Sequence, residues 1–295
     1  MPAAAAQPKK IKTKKSKRIN RSLPTTILLG AFLFLLGAFM ALPLVYAVVS
    51  AFKPMEEFFL FPPRFFVQNP TTDNFVQMVQ VMSSMWVPFE RYLFNTVLIS
   101  FGSTIVYVVI ACMAAYPLAK HDFPGRGPIN SVIVTALMFT AAVTCIARYI
   151  ILAMMHMIDT YWAMFLPSLA TTLGVFLCVQ NLHSFPTEIL ESGKLDGAGE
   201  YRILAQLVIP NIKPVVATMI IFQFQSVWNI NGSDLIYDEA LKPLVTALSQ
   251  ITSAGISRAG AGSAASLILL IPPILVFVIS QSNVMETMVN SGIKD

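Results

Sequence analysis

Charge is what this sequence has least of: Asp, Glu, Lys and Arg make up 12% of its 295 residues, about half the share of a soluble globular domain. With 56% apolar residues, the chain is excluded from the soluble class and belongs in a membrane. Catalytic signatures are lacking as well. No G-x-x-x-x-G-K-[ST] loop is present to cradle phosphates, which excludes ATP hydrolysis by that route. Neither H-E-x-x-H nor C-x-x-C occurs, and His121, His156 and His183 lie too far apart, at opposite ends of apolar runs, to share a metal. Cys112, Cys145 and Cys178 all fall inside apolar runs, so they form no disulfide framework and name no redox compartment. No polar stretch of domain size occurs, so any second activity must come from other chains.

What is present is a set of six apolar windows, at about 25–50, 93–119, 129–153, 161–182, 208–228 and 263–284. At 1.5 Å rise per residue each crosses a hydrocarbon core of about 30 Å, which predicts an all-α integral membrane protein of six transmembrane helices. The first window follows basic residues as a signal peptide does, but its apolar run is about twice a signal core, so it reads as a retained span. Eight Lys and Arg crowd residues 9–21, and Lys120, Arg126, Lys194, Arg202, Lys213 and Lys294 fall on the same side, against five on the other: Lys53, Arg64, Arg91, Lys242 and Arg258. The positive-inside rule then makes both termini cytoplasmic. Residues 1–24 read as a basic tail that sets topology and touches anionic lipid, not as a nucleic-acid patch, and 25–295 as the membrane domain.

The spans hold almost no ionisable residue, which argues against a proton- or sodium-coupled carrier, because relaying charge through hydrocarbon needs such groups. Arg148 is the exception. It lies about five residues, roughly 7 Å, from the outer end of its window and reads as a snorkelling side chain, with a place on a substrate pathway as the other reading.

Between the first two spans, an outer segment of about 40 residues rich in aromatics and Pro predicts short interfacial helices, one of them capped by Thr72 or Asp73. A second outer connection, 229–262, is polar and rich in small residues. The cytoplasmic connection at about 183–207 is far longer than the roughly four residues a return of the chain needs. Ser184 or Thr187 is placed to cap a helix over about 186–194, with Pro186 and Glu188 suited to its first turn. Asp196 and Gly197 then predict a sharp corner, Gly197 taking positive φ and Asp196 capping a second helix that holds Glu200. Pro210 and Pro214 kink the start of the fifth span. Two short helices meeting at a glycine corner fit a docking knob for a soluble partner, or an amphipathic helix lying flat on lipid.

The stretch "ESGKLDGAGEYRILAQLVIP", Glu191 to Pro210, resembles the EAA loop of ABC importer permeases: Glu-Ala-Ala, three residues, Gly, nine residues, Ile, one residue, Leu-Pro. Glu191, Gly197 and Pro210 stand at the matching positions, while Ser192 and Gly193 replace the two alanines, Leu207 the Ile and Ile209 the Leu. Gly193 in place of Ala predicts a softer first helix, by up to about 1 kcal/mol. "FNTVLIS", "AAYPLAKHDFPGR", "FQFQSVWNI", "KPLVTAL" and "QSNVMETMVNSGIK" resemble further motifs of the same family in register, and together they look like its smaller-permease type for sugars and oligosaccharides. "MFTAAVTCIARY" departs from it, since many relatives carry a Pro near Ala142 to Thr144.

This resemblance implies a type I ABC importer permease fold in the plasma membrane of a bacterium or archaeon. It implies a second permease, two ATPase subunits that use ATP and Mg, and an extracellular solute-binding protein as partners, with no cofactor, metal or catalytic residue on this chain. Glu191, Ser192, Gly193, Asp196, Gly197 and Ala198 would couple it to the ATPase, and 229–262 would meet the binding protein. For the translocation path, Gln223, Gln225, Trp228 and Asn229 offer amide and indole groups suited to sugars, or else they bond neighbouring helices. A permease for a non-sugar solute keeps every structural expectation, whereas a secondary carrier needs no ATPase.

Overall fold

The computed structural model describes residues 23–83, 87–253 and 255–291; the basic residues of the tail and Lys294 lie outside them. The chain divides into two units, Met1–Tyr46 and Ala47–Asp295. The described part of the first is a run of α1 (Leu23–Ala51), a helix of 29 residues interrupted only by Pro43.

Everything else belongs to the second unit, and no strand occurs among its described residues. The segment after α1 forms α2 (Met55–Phe58) and α3 (Asp73–Ser83), and Thr72 takes the first helical bonds of α3 through its carbonyl. Next come the long α4 (Phe89–Lys120), then α5 (Arg126–Ala136), α6 (Ala141–Met154), α7 (Trp162–Leu169) and α8 (Leu173–His183). The connection after α8 carries α9 (Thr187–Leu195) and α10 (Glu200–Ile203), and a π-helical turn, Leu204–Val208, leads through α11 (Ile209–Asn211) to α12 (Lys213–Trp228). The connection after α12 folds into α13 (Leu244–Thr252), followed by α14 (Ala259–Ser291).

Among the described residues four helices are long and apolar enough to cross a membrane: α1, α4, the α7–α8 pair and α14. The fifth expected span is bent by 84° where α11 meets α12, so it counts as one crossing only with that bend included. The third differs from expectation. Instead of one helix over 129–153, α5 unwinds through turn bonds at Leu137, Met138 and Phe139, and α6 restarts after an extended Thr140. Neither half alone covers about 30 Å.

Two cores position the rest. Small buried residues on α4, among them Ala111, Ala115 and Ala119, let it lie close to α8 and α12, with Cys112, Cys178, Leu182 and Met219 filling the contact. A second core joins α3, α13 and α14 around Tyr92, Leu248 and Ala264. The break between α7 and α8 leaves backbone groups unpaired, and Tyr107 of α4 closes it: its hydroxyl donates to the Thr171 carbonyl (3.1 Å) and accepts from the Gly174 amide (2.9 Å). Gly174 has to be glycine, because a Cβ there would collide with that hydroxyl.

The connection after α12 is stapled to α4. Asn95, fully buried, donates to the Ala240 and Lys242 carbonyls (2.9 and 3.0 Å), and the Thr96 hydroxyl accepts from the Leu244 amide (2.7 Å). Asp159, between α6 and α7, takes a left-handed conformation (φ 60°) and accepts from the Tyr237 and Asp238 amides (2.9 and 2.7 Å).

Candidate coupling elbow and pathway wall

The connection after α8 is a built elbow. Pro186 precedes α9 with extended backbone and Glu188 lies in its first turn, favourable to the helix dipole. Neither expected side-chain cap forms; the Ser184 hydroxyl instead donates to the Asn181 carbonyl of the preceding helix. At its other end the helix closes with a Schellman motif: the Ala198 amide donates to the Gly193 carbonyl and the Gly197 amide to the Lys194 carbonyl, both at 3.0 Å. Gly197 takes φ 78°, the left-handed turn this motif demands. Asp196 is therefore the C-cap of α9, and Gly199 stands at the N-cap of α10. The expectation that Asp196 opens the second helix is corrected: with glycine on both sides of Ala198, the left-handed residue ends one helix before the next begins.

Gly193 faces inward. A Cβ there would lie 2.7 Å from Leu207 Cδ1 and 3.5 Å from Ile203 Cγ1, so the missing methyl is the space the Leu207 side chain occupies. Leu190 is buried in the same contact, which places the apolar side of α9 against its own chain and not against lipid. Outward stand Glu191, Ser192, Asp196 and Gly197, flanked by Leu195 and Tyr201, whose side chains are 89% and 79% exposed. Those two were not singled out in the sequence, although an apolar residue on each side of a polar corner is the signal that finds them.

A charge cluster missed by sequence reasoning ties this elbow to α4. Glu200 Oε1 lies 2.8 Å from Lys194 Nζ and 3.6 Å from His121 Nε2, and Oε2 accepts from the Tyr116 hydroxyl at 2.8 Å. The Lys194 ammonium first, and then the Tyr116 hydroxyl, hold the Glu200 carboxyl down to about 2. Lys120 Nζ donates to the Phe185 carbonyl (2.6 Å), and Arg126 caps the end of α4 through the Leu118 and Ala119 carbonyls. Elbow and helix end are thus one block.

The second feature is a cavity of about 790 Å³ walled by α6, α7, α12 and the residues that follow α12. The unwound segment between α7 and α8 contributes Ala170 and Thr171 to its lining. Irregular backbone at membrane depth is tolerated where it lines such a cavity or is buried in protein. Gln223 is buried in this wall, its Nε2 donating to the Ser168 carbonyl (2.7 Å) and its Oε1 accepting from the Thr171 hydroxyl (2.9 Å). Arg148 lines the same cavity.

The other three expected path residues stand elsewhere. Trp228 is buried, stacks on Phe224 and donates its indole N–H to the Leu269 carbonyl of α14 (3.1 Å). Gln225 is exposed two residues on from Gln223, on the far side of the helix, and Asn229 folds back to donate to the Gln225 carbonyl (2.8 Å). Of the four, only Gln223 reaches the cavity.

Fold and site together define an all-helical membrane protein with an exposed polar elbow and a separate cavity among its helices. No family model matches the chain. The sn-glycerol-3-phosphate transport system permease protein UgpE of Yersinia enterocolitica is 30% identical to it over 211 residues, 69% of this chain and 74% of that protein. The polygalacturonan/rhamnogalacturonan transport system permease protein YtcP of Bacillus subtilis is 25% identical over 245 residues, covering 80% and 83% of the two. Among solved structures, a chain of a bacterial ABC transporter involved in the import of the acidic polysaccharide alginate superposes with a TM-score of 0.73 at 18% identity, over 89% of this chain and 98% of its own. The chain belongs to the permease subunits of ABC importers.

Proposed function

We propose that this permease forms half of the translocation path of an importer for sugars or oligosaccharides, paired with a second permease and driven by two ATPase subunits that use ATP and Mg. It crosses the plasma membrane six times with both termini cytoplasmic, the α5–α6 pair serving as the third crossing and α12 with its bent approach as the fifth. An extracellular solute-binding protein delivers cargo at 229–262. The chain itself contributes no catalytic group and holds no cofactor.

The observation that carries this reading is the elbow. Its apolar side is buried against its own chain while Glu191, Ser192, Leu195, Asp196, Gly197 and Tyr201 face outward, which leaves a rigid, mixed-polarity tip for a protein cleft. Gly193 and Ala198 set the tip's shape from within. Closure of the ATPase pair would carry the tip as a rigid body and tilt the helices fastened to it. The carbohydrate assignment draws on the relatives, YtcP above all; UgpE, named for sn-glycerol-3-phosphate, favours a non-sugar solute as the second reading.

Site-directed cross-linking tests both contacts in the assembled complex. Glu191→Cys is expected to cross-link to an ATPase subunit and Ser233→Cys to the binding protein; cross-linking of Glu191→Cys to lipid alone overturns the elbow assignment. Thermal stabilisation of the cognate binding protein by an oligosaccharide panel then checks cargo, and a shift with another solute class but none with sugars replaces the carbohydrate reading.

A further inference from the structure

We propose that the pathway selects anionic cargo, a saccharide bearing carboxylate or phosphate groups, and that Arg148 is the selecting residue. The proposal rests on the carbohydrate-importer reading and adds a charge to it. Arg148 sits midway along the apolar α6, six residues before its end at Met154, exposed on the wall of the cavity. An ionised side chain inside a membrane segment is costly and marks a pathway when it has no partner within the chain. Among the described residues Arg148 makes no hydrogen bond or ion pair, and none of those lining the cavity is an Asp or Glu. The carboxylate that follows in sequence, Asp159, is already engaged by the Tyr237 and Asp238 amides.

The wall around Arg148 suits the remainder of such a ligand. A guanidinium offers a planar fork of donors that matches a carboxylate or phosphate in two parallel bonds. Ser226 and the amide nitrogen of Asn231 also line the cavity and have no partner among the described residues, so they can meet sugar hydroxyls. Gln223, held by Ser168 and Thr171, supplies a fixed polar surface between them. The volume of about 790 Å³ lies within the usual range for small-molecule sites.

The test uses the complete complex with its binding protein in ATP-loaded proteoliposomes. Uptake of a galacturonate trisaccharide, a sugar phosphate and a neutral glucose trisaccharide is compared between wild type, Arg148→Gln and Arg148→Lys. Because the binding protein is the same in all three, a change in the ratio of anionic to neutral uptake arises in the membrane path. Loss of one charge-assisted contact is expected to lower that ratio by about tenfold or more in Arg148→Gln, with most of it kept in Arg148→Lys. The two anionic probes distinguish carboxylate from phosphate. Equal slowing of anionic and neutral uptake, or dissociation of Arg148→Gln from the second permease on size-exclusion chromatography, overturns the proposal and leaves the sugar reading standing. Uptake of a non-saccharide solute with none of the three probes overturns the sugar reading itself.

Discussion

Replacing Gly197 separates backbone conformation from contact. Its φ is 78°, and a Cβ built there meets nothing within 4 Å, so Gly197→Ala introduces no clash and changes only what the backbone prefers. A residue with a Cβ pays about 1–2 kcal/mol to stay in the left-handed region. That shifts the balance between the closed and opened corner by about 5- to 30-fold, while total stabilities of about 5–15 kcal/mol leave insertion and assembly intact. Gly197→Val should be worse, because a β-branched residue is a genuine outlier at positive φ. Gly197→Asn should stay near wild type, since Asn tolerates this region. The assay is binding-protein-stimulated ATP hydrolysis and uptake at equal complex concentration, with the order Gly, Asn, Ala, Val expected and Ala reduced several-fold. Equal losses for Asn and Ala, or full activity in Val, would refute the argument that the Schellman corner transmits the stroke.

Other substitutions probe the supports around that corner. Glu200→Gln removes the charge that Lys194 and His121 face; at this exposure each pair contributes under about 1 kcal/mol, so the complex should assemble while stimulated ATP hydrolysis falls. With the Glu200 carboxyl held near 2, below its ordinary 4.5, its contribution is complete above about pH 4.5 and disappears only as pH falls through about 2. In His121→Gln, where Lys194 is the cation left facing Glu200, going from pH 7.5 to 5.5 should therefore leave this contribution to elbow stability unchanged in hydrogen exchange of α9 and α10. Gly193→Ala gains up to about 1 kcal/mol of helix propensity but pushes Leu207 off its rotamer at about 0.5–1.5 kcal/mol, so the net change is small. Adding Leu207→Val should restore the gain, and a thermal-melt double-mutant cycle with no coupling between the two would contradict the packing described. Trp228→Phe keeps the stack on Phe224 but leaves the Leu269 carbonyl unpaired, lowering stability by on the order of 1 kcal/mol with KM unchanged; a raised KM would return Trp228 to the cargo path.

How far these features could be read from the chain depended on how locally they were written. Gly197, Pro186 and the charged interruption announced the elbow because turn and cap preferences act over a few residues. The same punctuation misled at Asp196, where Asp-Gly-Ala-Gly supports a cap on either side and only the backbone bonds from Gly197 and Ala198 decide between them. The break at Leu137 to Thr140 carries neither Gly nor Pro, so a third unbroken span was the natural reading. Glu200 was visible as a residue but not as a site, and Arg148 as either a snorkelling side chain or a pathway residue. Their meaning comes from α12 and α4, whose contributing side chains lie some 75 to 84 residues away, as Gln223 does from Arg148 and Tyr116 from Glu200.

The two ends of α4 now take on a joint meaning. One end is pinned to the connection after α12 by Arg91, Asn95 and Thr96, the other to the elbow by Tyr116, Lys120 and His121. Its 32 residues form one continuous helix of about 48 Å, with Gly102, packed against Phe165, and Pro117 as its interior bending points. In the proposed importer a stroke delivered at one end of α4 would be felt at the other along this helix, and cargo release and nucleotide chemistry would share one moving part.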